Sequence, residues 1–125
     1  MKALLASLMF VNAALFLFGA IQHLGVTIGR LHEPQIIPAA VVETICGIAL
    51  AFGATLISSR PTVATAAPLI SNLIALAGVL LGMAALAAGH GPRTASNDLY
   101  HHVMVVLIGA SLVTWLLAKT IFHPN

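Results

Sequence analysis

Charge is what this chain has least of. Of 125 residues, five are Lys or Arg and three are Asp or Glu, where a soluble domain has about a quarter of its residues charged. Those few charges are scattered singly, so the net charge of +2 and the pI near 9.2 reflect a shortage of acids and not a basic patch. That speaks against a nucleic-acid partner. Cysteine is nearly absent as well. Cys46 alone rules out an internal disulfide and any CxxC redox pair, and its place in an apolar run reads as packing. No HExxH, ExxH or CxxCH spacing occurs, so no metal or haem motif stands out from the sequence.

What the chain has in abundance is apolar sequence: 60% of it is hydrophobic and its mean hydropathy is +1.06. Apolar runs cover Ala3 to Ile28, Ile36 to Ile57, Thr62 to Ala88 and Leu99 to Phe122, each at or above the roughly 20 residues a membrane helix needs. They predict helices over about 3–28, 36–57, 62–88 and 98–122 in an all-α integral membrane protein. The first run is too long for the apolar core of a signal peptide and reads as a span.

Three connectors, GRLHEPQ (29–35), SSRP (58–61) and GHGPRTASN (89–97), are rich in Gly, Pro, Ser and Asn. Links this short force antiparallel neighbours, so the expected fold is an up-down-up-down four-helix bundle forming a single transmembrane domain over residues 1–125. Pro34 and Pro38 suit the opening of the second helix and Pro61 that of the third, where a missing N–H costs least. Asn97 or Asp98 is the expected N-cap of the fourth. Gly78 and Gly82, and Gly25 and Gly29, have GxxxG spacing. This favours close packing inside the bundle, with a homo-oligomer contact as the alternative.

Lys2, Arg60 and Lys119 fall on the side of the termini, while Arg30 and Arg93 on the other side are diluted by Glu33 and Asp98. The positive-inside rule then places the N- and C-termini of a multi-pass cell-membrane protein in the cytoplasm. Trp115, Tyr100 and Phe122 are expected as interfacial anchors.

Glu43 stands inside the second apolar run, where a charge costs roughly 2.5 to 3.5 kcal/mol even on the lenient insertion scale. Such a group normally faces the bundle interior. In the expected topology helix one ends, helix two begins, helix three ends and helix four begins on one side, which gathers five of the six histidines there. At 1.5 Å per residue, Glu43 lies roughly 10 Å beyond Ile36, His23 roughly 8 Å before Ile28 and His101 roughly 5 Å past Asp98, so their depths overlap. Asn12, Gly19 and His23 share one face of helix one, and Glu43, Gly47, Leu50 and Ala54 form a stripe on helix two. His101 shares a face with Val105 and Gly109. His102 points about 100° away and is expected at the lipid headgroups if its neighbour faces inward. Asn12 and Asn72 lie midway along their helices and are expected to hydrogen-bond across the bundle. His32, Glu33, His90 and Arg93, in connectors, read as solvated, with Arg93 also suited to an anionic headgroup.

A buried acid flanked by imidazoles suits proton relay, metal ligation or the polar head of a lipophilic ligand, and it can also be a self-satisfied cluster. The ligand-binding or proton-handling candidates are therefore Glu43, His23, His101, His102, Asn72 and Asn12. Haem or metal bound through His23, His101 and Glu43 is an alternative.

Three segments resemble the DoxX-like membrane proteins, small four-helix bundles. LFLFGAIQHLG (15–25) resembles the family's apolar run closing on Gly and a polar or basic residue. VVETICGIALAFGA (41–54) resembles its glutamate followed by Gly, Leu and Gly, matched here by Glu43, Gly47, Leu50 and Gly53. Residues 97–109 resemble its fourth-helix opening. The resemblance implies a membrane subunit near redox chemistry, an accessory part of a quinone-linked complex with membrane or soluble redox partners. Against it stand a haem- or metal-binding bundle and a purely structural anchor whose glycine faces pack on partners.

Overall fold

The computed structural model describes residues 1–59 and 66–122. Four helices make up nearly all of it: α1 (Lys2–His23), α2 (Ile37–Ser59), α3 (Ala66–Ala87) and α4 (Ala95–Phe122). Each packs on its neighbours in sequence and α4 closes back on α1, giving the up-down-up-down bundle. The α1–α2 seam is the closest. Gly47 makes it so: a side chain there would begin 2.8 Å from Leu17 Cγ and 3.2 Å from the Ala13 carbonyl.

All four helices are long and apolar enough to cross a membrane. Their outer faces carry Ile45, Ile48, Phe52, Leu81 and Val106, each exposed, while Asn12, His23, Glu43, Asn72, His101 and Ser111 are buried. A water-soluble bundle distributes these types the other way round. This is an integral membrane protein, and lipid is the solvent for its outer faces. The side-chain hydroxyls of Thr44, Thr55, Ser58 and Thr114 donate to the carbonyl four residues earlier in their own helices, so none enters the apolar phase unpaired.

The helix ends differ from expectation chiefly in two places, each for a local reason. α1 stops at His23 and not near Ile28, because Gly25 takes φ +87° just past Leu24. The Gly25 N–H then bonds the Gln22 carbonyl and the Val26 N–H that of Ile21, the paired bonds of a Schellman stop. Ile28 and Leu31 exchange backbone hydrogen bonds around Gly29, at φ +63°. Gly25 and Gly29 are therefore turn residues, not a helix-packing pair. α4 starts at Ala95, earlier than expected, because Thr94 is its N-cap and accepts the Asn97 N–H on Oγ1 at 3.1 Å. Asn97 is thereby free to lie buried within the helix, and Asp98 pairs with Arg93.

Pro38 lies in the first turn of α2, as its missing N–H favours, while Pro34 stays in the connector. Arg60, Pro61 and the start of the third apolar run at Thr62 lie outside the described residues, as does the side chain of Phe122. Trp115, near the end of α4, has Lys119 Nζ 5.7 Å from its ring centroid. Tyr100 is no interfacial anchor. It is half-buried and packs against the core cluster.

Candidate functional site

Glu43 enters the bundle from the second turn of α2, and His23 meets it from the last residue of α1. His23 Nδ1 and Glu43 Oε2 are 2.8 Å apart, and both residues are buried, at 3% and 6% exposure. One proton lies between them, on nitrogen or on oxygen according to the ionisation of the pair. The backbone holds this register: the Ile36 N–H donates to the His23 carbonyl at 2.9 Å, tying the end of α1 to the approach to α2.

Gly19, one turn before His23, supplies the space. A side chain there would begin 2.8 Å from Glu43 Oε1 and 2.8 Å from the Tyr100 hydroxyl, so these two oxygens converge over bare backbone. Gly82 does the same for His101, whose Nε2 lies 2.5 Å from where a Gly82 Cβ would sit. Gly78 opens α3 toward Val42 and Cys46. The glycine pair of α3 thus admits side chains of its own chain, in the close packing within one bundle that its spacing favours.

His101 donates from Nδ1 to the Asn97 carbonyl at 2.8 Å, since a carbonyl can only accept. In the neutral ring, Nε2 is then the acceptor and faces α3. The Tyr100 ring meets the His101 ring edge-on, centroids 5.5 Å apart.

Together these groups line a cavity of about 410 Å³ at the end of the bundle where α1 ends and α2 begins, within the range of small-molecule sites. Val42, Val79 and Leu86 give it apolar walls, and His23, Glu43, Asn97 and His101 its polar side. His90 and Gly91 of the α3–α4 connector also line it. A smaller cavity of about 170 Å³ lies across His23, Asn97 and Tyr100 from the first and reaches Gln22, Glu33 and Ser96.

The structure therefore gathers Glu43, His23 and His101 around one cavity, and leaves three other candidates out of it. His102 is exposed and donates from Nδ1 to the Asp98 carbonyl of its own helix. Asn12 reaches across the bundle to Ser111 on α4, Nδ2 to Oγ at 3.1 Å, below the cavity. Asn72 stays within α3, donating to the Pro68 carbonyl at 2.8 Å, because Pro68 has the buried face of the first turn.

Glu33 departs most from expectation. Although in a connector, it is buried at 7% exposure and accepts hydrogen bonds from Thr94 Oγ1, at 2.8 Å, and from Ser96 Oγ. The first turn of α4 thus holds a carboxylate, which the positive end of the helix dipole favours. Arg93, by contrast, is exposed and pairs through Nε with both oxygens of Asp98, at 3.0 and 2.8 Å. His32 pairs with Thr27 Oγ1 at 3.0 Å on the surface.

Asn97 and Tyr100 are site residues that sequence reasoning passed over. The signal was present: Asn97, Tyr100, His101 and Met104 follow the three-four spacing of one helix face. Among the described residues, no three His, Cys, Asp or Glu side chains are placed to hold a metal ion together. No protein-family model, curated protein or solved structure matches the chain.

Proposed function

We propose that this chain is a DoxX-like accessory subunit of a quinone-linked redox complex in the cell membrane, its termini cytoplasmic, and that its cavity receives the head of a quinone or a similar lipophilic carbonyl compound. One observation carries the reading: a buried acid–imidazole pair, with Asn97 and His101 beside it, lines one side of a cavity of about 410 Å³ whose other walls are apolar, in a lipid-facing bundle. A ring with an apolar tail matches the walls, and its carbonyl oxygens need donors. Reducing a quinone to a quinol takes two electrons and two protons. The electrons come from a redox partner subunit, and Glu43 with His23 handles protons where water is scarce.

The cavity favours this reading over a bare metal site and over a docking role. A metal would need a third ligand beside His23 and Glu43, and a docking role for Gly78 and Gly82 would need that face free.

Photolabelling tests the proposal. A photoreactive short-chain benzoquinone, added to the full chain in liposomes, is expected to crosslink to cavity residues such as Val42 and Leu86, with loss of labelling in Gly82→Leu. Crosslinks confined to lipid-facing residues such as Phe52 and Val106, undiminished by excess unlabelled quinone, would overturn it. In native membranes, Glu43→Gln and His101→Ala are expected to lower quinone-linked electron transfer by the intact complex.

A further inference from the structure

The smaller cavity gives the buried pair a second neighbour. His23 lines both cavities, and its two ring nitrogens have different surroundings. Nδ1 is engaged by Glu43 Oε2, whereas Nε2 is buried with no hydrogen-bond partner among the described residues. Asn97 also lines both cavities, is 5% exposed and has its Oδ1 equally unpartnered. At the other end of the smaller cavity is Glu33, held by Thr94 and Ser96, with exposed Leu31 and Ser96 at the rim.

From this geometry we infer that the smaller cavity is a proton entry to Glu43, with Glu33 as its outer acceptor and His23 as the relay between the two carboxylates. About 170 Å³ is many times the roughly 10 to 15 Å³ that one water needs, so the cavity admits several waters. Buried polar atoms without partners are what such waters bind. A proton from the aqueous headgroup side is taken up at Glu33 and passes along the water to His23 Nε2. As it binds there, the proton on Nδ1 moves to Glu43 Oε2. One proton has entered and one has left the ring, which ends neutral in its other tautomer. The reverse transfer returns the proton and exchanges it with water, whereas net delivery, once Glu43 has passed its proton on, needs the ring to turn and bring its protonated nitrogen back to Glu43. Histidine suits this step because its two nitrogens face different partners and its ordinary pKa lies near neutrality. The other titratable groups around the pair are Tyr100 and His101 from α4 and Cys46 from α2. His101 and Cys46 do not line the smaller cavity, whereas Tyr100 does and brings its hydroxyl to Glu43 over Gly19. Its proton belongs to a phenol, a far weaker acid than imidazolium, so Tyr100→Phe is expected to leave proton exchange at Glu43 within about twofold.

This inference rests on Glu43 being a proton-handling group and needs no quinone, so it can stand where the ligand assignment falls. The test is hydrogen–deuterium exchange of the Glu43 carboxyl, followed by infrared spectroscopy of the full chain in liposomes after a switch to D2O. The band is assigned by its loss in Glu43→Gln. Glu33→Gln and His23→Asn are each expected to slow exchange at least about tenfold, a modest share of what a positioned acid or base contributes. Ser96→Ala, which loosens the Glu33 clamp but keeps its carboxylate, is expected to leave the rate within about twofold. Unchanged exchange in Glu33→Gln would overturn the inference, as would equal slowing by Ser96→Ala. Glu33→Gln preserves the shape of the side chain and decides the matter if His23→Asn does not fold.

Discussion

The two ends of the bundle are built from the same apolar alphabet and finished differently. Toward the termini, Leu5, Met9, Leu50, Ala54, Ala75 and Ile108 close into a core with almost no exposure. Gly53 lets the small hydroxyl of Ser71 and Met9 Cε come within 2.5 and 2.7 Å of where its side chain would begin. At the opposite end the glycines make room for ionisable groups: Gly19 for Glu43 and Tyr100, Gly82 for His101. The outcome there is a cavity and not a core. Small residues let helices approach wherever they stand, and the neighbouring side chains decide whether the approach ends in dispersion contact or in a polar pocket.

The largest expected contrast is between Leu50→Ala in the closed end and Leu86→Ala in the cavity wall. The first leaves a void among fully buried neighbours and should cost about 2 to 5 kcal/mol. The second enlarges a space already present and should cost about 1 kcal/mol or less. Detergent-driven unfolding of both variants measures the difference, and equal losses would mean that the two ends are packed alike.

Next in size is Gly82→Ala, which collides with His101 and should cost about 1 to 3 kcal/mol. It should also shift the His101 ring resonances in an NMR spectrum. Serine at position 82 should do the same, whereas Gly109→Ala, with nothing within 4 Å of its Cβ, should be silent by both measures.

Glu43→Ala removes the partner of buried His23 and should destabilise by about 1 to 3 kcal/mol. Glu43→Gln, which keeps an oxygen for the His23 N–H, should lose less. If the two variants were equally unstable, the charge of Glu43 and not its hydrogen bond would be holding the pair.

The smallest effect belongs to the closed end, where Asn12 and Ser111 make its cross-bundle hydrogen bond. A double-mutant cycle with Asn12→Ala and Ser111→Ala should return a coupling of about 0.6 kcal/mol, the average for such contacts in a membrane protein. A value near zero would leave that end held by packing alone.

Much of the site was legible in the chain for reasons of depth and period. Glu43 sits in an apolar run, and helical rise puts His23 and His101 at its level, so their convergence follows from topology. Helical spacing likewise separates His101 from His102, because neighbours on a helix point about 100° apart. Other features depend on contacts that periodicity does not describe. Glu33 looked like a solvated connector residue because nothing local shows that Thr94 and Ser96 will meet it from 61 and 63 residues away. Asn72 looked like a cross-bundle donor, but Pro68, four residues earlier, offered a nearer carbonyl. The end of α1 turned on whether Gly25 would continue the helix or take a left-handed turn, and glycine permits both.

The sequence alone determined that this chain lives in lipid, that it crosses four times in alternating directions, and that an acid and imidazoles share one level near one surface. Those properties follow from run length, link length and the rise of a helix, all of which are local. The tertiary structure decided which polar atoms touch, where the glycines leave room, and that a connector carboxylate folds back beside the pocket. Such outcomes depend on how four surfaces fit together, and side-chain fit is a property of pairs of helices that no single helix carries.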